Sequence, residues 1–96
     1  MDVDVVDYNR LGIGVVSGED ILKPESRIQV SLRLNTEVGE ITVDQVTASV
    51  RHSQTDEHGY FFGLEFDRDL SQSVAETLER IEGILNRHQN LTAKVQ

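Results

Sequence analysis

Apolar and polar residues alternate through the first two-thirds of the chain. Ile28, Val30, Leu32 and Leu34 are interleaved with Gln29, Ser31 and Arg33, a period of two that turns one face inward and predicts a half-buried strand. Tyr60, Phe62, Leu64 and Phe66 repeat the pattern, with Phe61, Gly63 and Glu65 on the opposite face. Between these runs, Ile41 and Val43 share one parity while Val46, Ala48 and Val50 share the other. That slip predicts a β-bulge or sharp bend near Asp44-Gln45, which restores the face. Val3, Val5 and Val6 predict a short N-terminal strand, and Gly12 to Val16 begin another after a turn-like segment rich in Asp, Asn and Gly. Pro24 punctuates the next loop, and Glu37-Val38-Gly39-Glu40 and Thr55-Asp56-Glu57-His58-Gly59 read as hairpin connections. About five strands joined mainly by short connections imply an antiparallel sheet or barrel.

From Ser71 the period becomes helical, with Val74, Leu78, Ile81 and Leu85 spaced four, three and four apart. Ser73 and Glu76 have capping-box spacing, and Asp67 and Asp69 lie upstream, where acid favours a helix N-terminus. One stripe of this helix is expected to pack on the barrel. The seam runs on through His88, Thr92 and Val95, too polar for a coiled coil. These patterns give one domain over residues 1–88 and a frayed tail over 89–96.

Charge and length narrow the function classes. A chain of 96 residues builds one domain with one modest core. Its 17 acidic and 9 basic residues give a net charge of −8, which repels polyanions and argues against DNA, RNA or an anionic membrane as partner. No apolar run is long enough to span a bilayer, so no membrane insertion is expected. The start, Met1-Asp2-Val3-Asp4, lacks the basic flank and apolar stretch of a secretory signal, which makes the cytoplasm the expected compartment. Cysteine is absent, removing disulfides, thiolate metal sites and cysteine nucleophiles.

Asp7-Tyr8-Asn9-Arg10-Leu11-Gly12-Ile13-Gly14 resembles the D/N-x-S-x-x-G signature of PilZ domains, with Asn9 in the serine position. The surroundings extend the resemblance. Pro24 to Leu34 is similar to the family's strand after a Pro-Gly turn, Val46 to Arg51 to its V-x-x-x-V-R strand, and Gly59 to Phe66 to the aromatic-G-L-x-F strand before its terminal helix. The likeness runs from about residue 3 to residue 86. It implies an all-β fold with a C-terminal helix, an antiparallel PilZ-like barrel of about five to six strands, and a non-catalytic regulatory module of bacterial cyclic di-GMP signalling. By the same resemblance, Asp7 accepts hydrogen bonds from a guanine N–H and Asn9 replaces the serine hydroxyl. Gly12 permits an unusual φ or a close backbone approach, and Arg10, the nearby cation, pairs with phosphate or with Asp7.

One departure limits what the resemblance implies. The family's second ligand element is an R-x-x-x-R segment ahead of the first barrel strand, and no two arginines in this sequence have that spacing. The first barrel strand is also expected to be missing. Losing two charge-assisted contacts, each worth about 1.5–3 kcal/mol, weakens binding by roughly two or more orders of magnitude. The other reading is therefore a degenerate PilZ-like adaptor that binds a protein partner or itself, through an open barrel edge or the helical seam. An Asx turn between two strands explains Asp7, Asn9 and Gly12 without any ligand.

Other residue sets read as ordinary surface or core. His52, Asp56, Glu57 and His58 crowd a hairpin tip without a fixed ligand spacing, which describes a solvated loop rather than a metal site. Alternation sends Tyr60 and Phe62 to the core and leaves Phe61 on the other face as a contact surface. There is no P-loop, no G-x-G-x-x-G and no nucleophile elbow. No catalytic residue, metal or cofactor is expected, and the chain reads as a non-enzyme.

Overall fold

Each run of period two becomes a strand in the computed structural model, which describes residues 1–85 and 91–95. The elements are β1 (Asp2–Asn9), β2 (Gly12–Ser17), β3 (Arg27–Thr36), β4 (Gly39–Asp56), β5 (Gly59–Phe66), α1 (Gln72–Ile84) and β6 (Leu91–Val95). All neighbouring strands are antiparallel, and they close into a barrel in the order β1-β2-β5-β4-β3-β6.

Two expectations about the edges of the barrel are corrected. Residues 91–95 form no frayed tail. They make the sixth strand, which fills the gap between β1 and β3 by pairing Val3 with Ala93 and Leu32 with Ala93 from either side. The Met1 amine and Val95 carbonyl (3.0 Å), and the Val95 N–H and Met1 carbonyl (2.9 Å), fasten the same seam. The barrel therefore has no missing strand and no open edge at that position, and a boundary at residue 88 does not separate domain from tail. Residues 86–90 and 96, including His88 of the expected helical seam, lie outside the described residues.

The shift of parity in β4 falls where the hydrophobic pattern slips. Val30 pairs with Val46 and Leu32 with Val43, so Asp44 and Gln45 together face one residue of β3. Gln45 takes φ +58° there, the conformation of a bulge residue, and Val43, Val46, Ala48 and Val50 all reach the core. A second bulge shapes β1: the register shifts between Val5 and Asp7, leaving Val6 57% exposed. Val3 and Val5 face inward before the bulge and Tyr8 packs on the core after it. The shift leaves Asp7, which shares the parity of Val3 and Val5, on the exposed face.

Phe62, Leu32, Leu34, Leu78 and Ile81 are among the largest fully buried side chains, so strands and helix share one core. Each such burial is worth about 1.5–3 kcal/mol. The helix is capped by Ser71, whose Oγ accepts the Val74 N–H at 3.3 Å. Ser73, expected as the cap, lies inside the first turn and accepts the Thr77 hydroxyl through its carbonyl (2.9 Å). Glu76 takes the Gln72 amide at 3.0 Å, and the helix packs on β1 and β4.

Candidate functional site

The segment from Asp7 to Gly12 straddles the first strand connection. Asn9 pairs with Gly12 across it, leaving Arg10 and Leu11 as the two linking residues. Asn9 builds the turn with its own side chain: Oδ1 accepts the N–H of Leu11 at 2.7 Å and of Gly12 at 3.1 Å, which is the Asx turn that the residue types suggest. The Leu11 carbonyl then accepts the Phe66 N–H at 2.9 Å and joins the turn to the end of β5.

Gly12 is required by close approach. A Cβ there would lie 2.2 Å from the Leu64 carbonyl oxygen, a backbone atom fixed in the β2–β5 ladder. Gly14 and Gly63 complete a glycine floor, since the register aligns Asp7, Gly14, Gly63 and His52 in one row across β1, β2, β5 and β4. The Phe61 ring lies over this floor, 3.0 Å from where a Gly14 Cβ would stand, and meets His52 edge-on at 6.0 Å between ring centres.

Asp7, Asn9 and Gly12 thus line one shallow, open depression of about 280 Å³, together with Arg51, Phe61 and Glu65. Arg10 does not join them. Its guanidinium leans on Glu79 of α1 at 3.7 Å, and the Arg10 main-chain N–H donates to the Glu82 carboxylate at 2.7 Å. Arg10 is therefore directed to the helix, and the expected pairing with Asp7 is absent from its contacts. The cation beside Asp7 and Asn9 is instead Arg51, itself 3.3 Å from Glu65. Sequence spacing did not single out Arg51, Gly14 or Gly63 as parts of one site, because only the strand register brings them together.

Tyr8 ties this corner to the helix. Its hydroxyl donates to the Leu78 carbonyl at 2.7 Å. Burial, aided by the negative charge of Glu82, pushes the hydroxyl pKa well above that of an ordinary tyrosine. A larger concavity of about 550 Å³ lies elsewhere, over β1, β6, β3 and β4. Asp2, Asp4 and Asp44 line it together with Arg33 and Lys94, and Lys94 lies 4.0 Å from Asp2.

The hairpin-tip set disperses. The Asp56 carboxylate accepts the His58 N–H at 2.7 Å, and the His58 ring lies 3.5 Å from Glu57. His52 sits back on β4 against Phe61. Among the described residues, no three His, Asp or Glu side chains gather as a metal site, and no helix is long and apolar enough to cross a membrane. Comparisons with models of protein families, with curated proteins and with solved structures give no match.

Proposed function

We propose that this chain is a non-catalytic regulatory module of PilZ type that takes cyclic di-GMP on the outer face of β1, β2 and β5. The observation that carries the reading is the Asp7-x-Asn9-x-x-Gly12 turn at the rim of a closed six-stranded barrel, opening onto a glycine-floored depression. The exposed Asp7 carboxylate offers an acceptor for a guanine N–H, and the open floor over Gly14 and Gly63 leaves room for a flat ring beside Phe61. Arg51 is the cation that lines the depression, and Arg10 has to leave Glu79 to reach a phosphate there. Both lean on exposed carboxylates, and such surface pairs are worth only about 0–1 kcal/mol. A charge-assisted contact to phosphate is worth about 1.5–3 kcal/mol, so a ligand outcompetes them.

A second reading, the nucleotide-free adaptor in the cytoplasm, is favoured by the commitment of Arg10 to Glu79 and Glu82. Calorimetric titration with cyclic di-GMP separates the two. The receptor reading expects weak binding by this chain, and binding about 100-fold tighter or more once an Arg-x-x-x-Arg segment is added ahead of Met1. If neither form binds, the receptor reading fails and the adaptor remains.

A further inference from the structure

β4 runs on past the end of its pairing with β3, while β5 stays paired with β2 from Tyr60 to Glu65. β3 follows β4 as far as the pair Arg27–Ser49. The preceding loop adds one more exchange: the Val50 N–H donates to the Ser26 carbonyl and the Val50 carbonyl accepts the Glu25 N–H, both at 2.9 Å. From Arg51 to Asp56, β4 is paired among the described residues only with β5, and every residue of the stretch is exposed.

Backbone parity decides which groups face outward. The two-residue connection Glu57-His58 makes Asp56 and Gly59 a hydrogen-bonded pair. Gln54 and His52 then bond to β5 as well, while Ser53 and Thr55 direct their N–H and C=O groups to the open side. Val50 uses the same side for Ser26 and Glu25, and the bulge between Val50 and His52 accounts for the change of parity.

We infer that this edge receives a second copy of the chain, in antiparallel pairing about a two-fold axis through Gln54. Outward groups can bond only to outward groups, so Ser53 exchanges both N–H···O bonds with Thr55 of the second copy, and Thr55 with its Ser53. The charges select this register. The edge carries Arg51 at one end and Asp56-Glu57 at the other, and the axis at Gln54 sets Arg51 opposite Glu57 and the His52 imidazole opposite the Asp56 carboxylate, each pair occurring twice. An axis at Ser53 sets Arg51 against Thr55, and one at Thr55 runs the strands off the hairpin tip; both lose the match. Arg51 gives up at most its exposed contact with Glu65, which costs little. A join this short makes a reversible dimer rather than an obligate one. It needs no nucleotide and extends the sheet that carries the Asp7–Gly63 depression.

A crosslinking experiment tests the register. The chain has no cysteine, so Gln54→Cys places its single thiol on the axis. It faces its own copy in a non-hydrogen-bonded pair about 4.5 Å apart at Cα, within disulfide reach. Under mild oxidation with diamide, Gln54→Cys is expected to form covalent dimer at least about tenfold faster than Val38→Cys, which stands 98% exposed on another hairpin. Sedimentation of the unmodified chain from about 10 μM to about 1 mM is expected to show monomer and dimer in equilibrium. Ser53→Pro removes an outward N–H and spares the β5 ladder, and it shifts that equilibrium at least about tenfold toward monomer. A strictly monomeric chain, Gln54→Cys crosslinking no faster than Val38→Cys, or a dimer unchanged in folded Ser53→Pro overturns the proposal. If Ser53→Pro does not fold, the two cysteine rates decide.

Discussion

The two ends of β5 use the same sheet in opposite ways. At the Phe66 end, the Asp7–Gly12 turn, the barrel rim and α1 are bound together: Tyr8 donates to Leu78, Arg10 holds Glu79 and Glu82, and Leu11 accepts from Phe66. At the Gly59 end, β5 stays paired with β2, whereas β4 from Arg51 to Asp56 has exposed side chains and, among the described residues, one edge unpaired beyond Val50. The difference shows where this barrel stores its specificity. Local side-chain bonds fix the shape of the turn end, whereas main-chain groups at the hairpin end remain available.

Substitutions at the turn end are expected to cost stability, and those along the exposed β4 edge from Arg51 to Asp56 are not. The largest effect is expected for Gly12→Ala. Its Cβ meets the Leu64 carbonyl at 2.2 Å, and backbone on both sides cannot yield, so urea unfolding should show a loss of about 3 kcal/mol. Gly18→Ala, whose Cβ has nothing within 4 Å, should fall within about 0.5 kcal/mol of the parent.

Tyr8→Phe removes the hydroxyl bond to Leu78 and is expected to cost about 1 kcal/mol in the same assay. It also alters the alkaline limb. The folded-state pKa of Tyr8 is raised, so its contribution is fully present below the unfolded value of about 10 and is lost as pH climbs above it. The parent should lose stability between about pH 10 and pH 11 more steeply than Tyr8→Phe, as read from urea midpoints. Equal slopes would remove Tyr8 from the account of the helix clasp.

Two smaller effects sharpen the same contrast. Ser71→Ala should cost about 1 kcal/mol as a lost helix cap, with Ser73→Ala closer to a few tenths; thermal unfolding of both variants compares them. Away from the turn end, Glu25 occupies φ +63° at the third position of the turn closed by the Ser26 N–H and Lys23 carbonyl (3.2 Å). Glycine relieves that strain at an entropic cost, so Glu25→Gly should raise stability by about 0.5 kcal/mol.

Glu25 also illustrates what the residues conceal. A Pro-Gly pair announces such a turn, whereas Pro24-Glu25 hides it, because the main-chain bond rather than the side chain imposes the left-handed conformation. The alternation in β3 and β5 was legible because one face of each is buried, and the slip at Asp44-Gln45 marked its bulge for the same reason. β6 was hidden by its length: over five residues, Thr92 and Val95 also continue the helical spacing from Leu85. The capping-box spacing of Ser73 and Glu76 points too far along, because Ser71, which also precedes the apolar stripe, is the residue whose Oγ accepts the Val74 N–H. Of the candidate site, Asp7, Asn9 and Gly12 stand together as their spacing suggests. The Arg10 side chain departs because Glu79 of a distant helix competes for it, while Glu82 holds its main-chain N–H. Gly14, Gly63 and Arg51 come together only through strand register, which no single segment encodes.

In the proposed receptor, the Asp7–Gly12 turn and the glycine floor form one ligand face. Amide NMR of the chain titrated with cyclic di-GMP tests it residue by residue. Binding at this face predicts shifts concentrated at Asp7 to Gly14, Phe61 to Glu65 and Arg51, with a weaker shift at Glu79 as the Arg10 side chain is drawn away, and their loss in Asp7→Ala. A spectrum unmoved at saturating nucleotide, or shifts confined to the concavity lined by Asp2, Asp4 and Asp44, would contradict it.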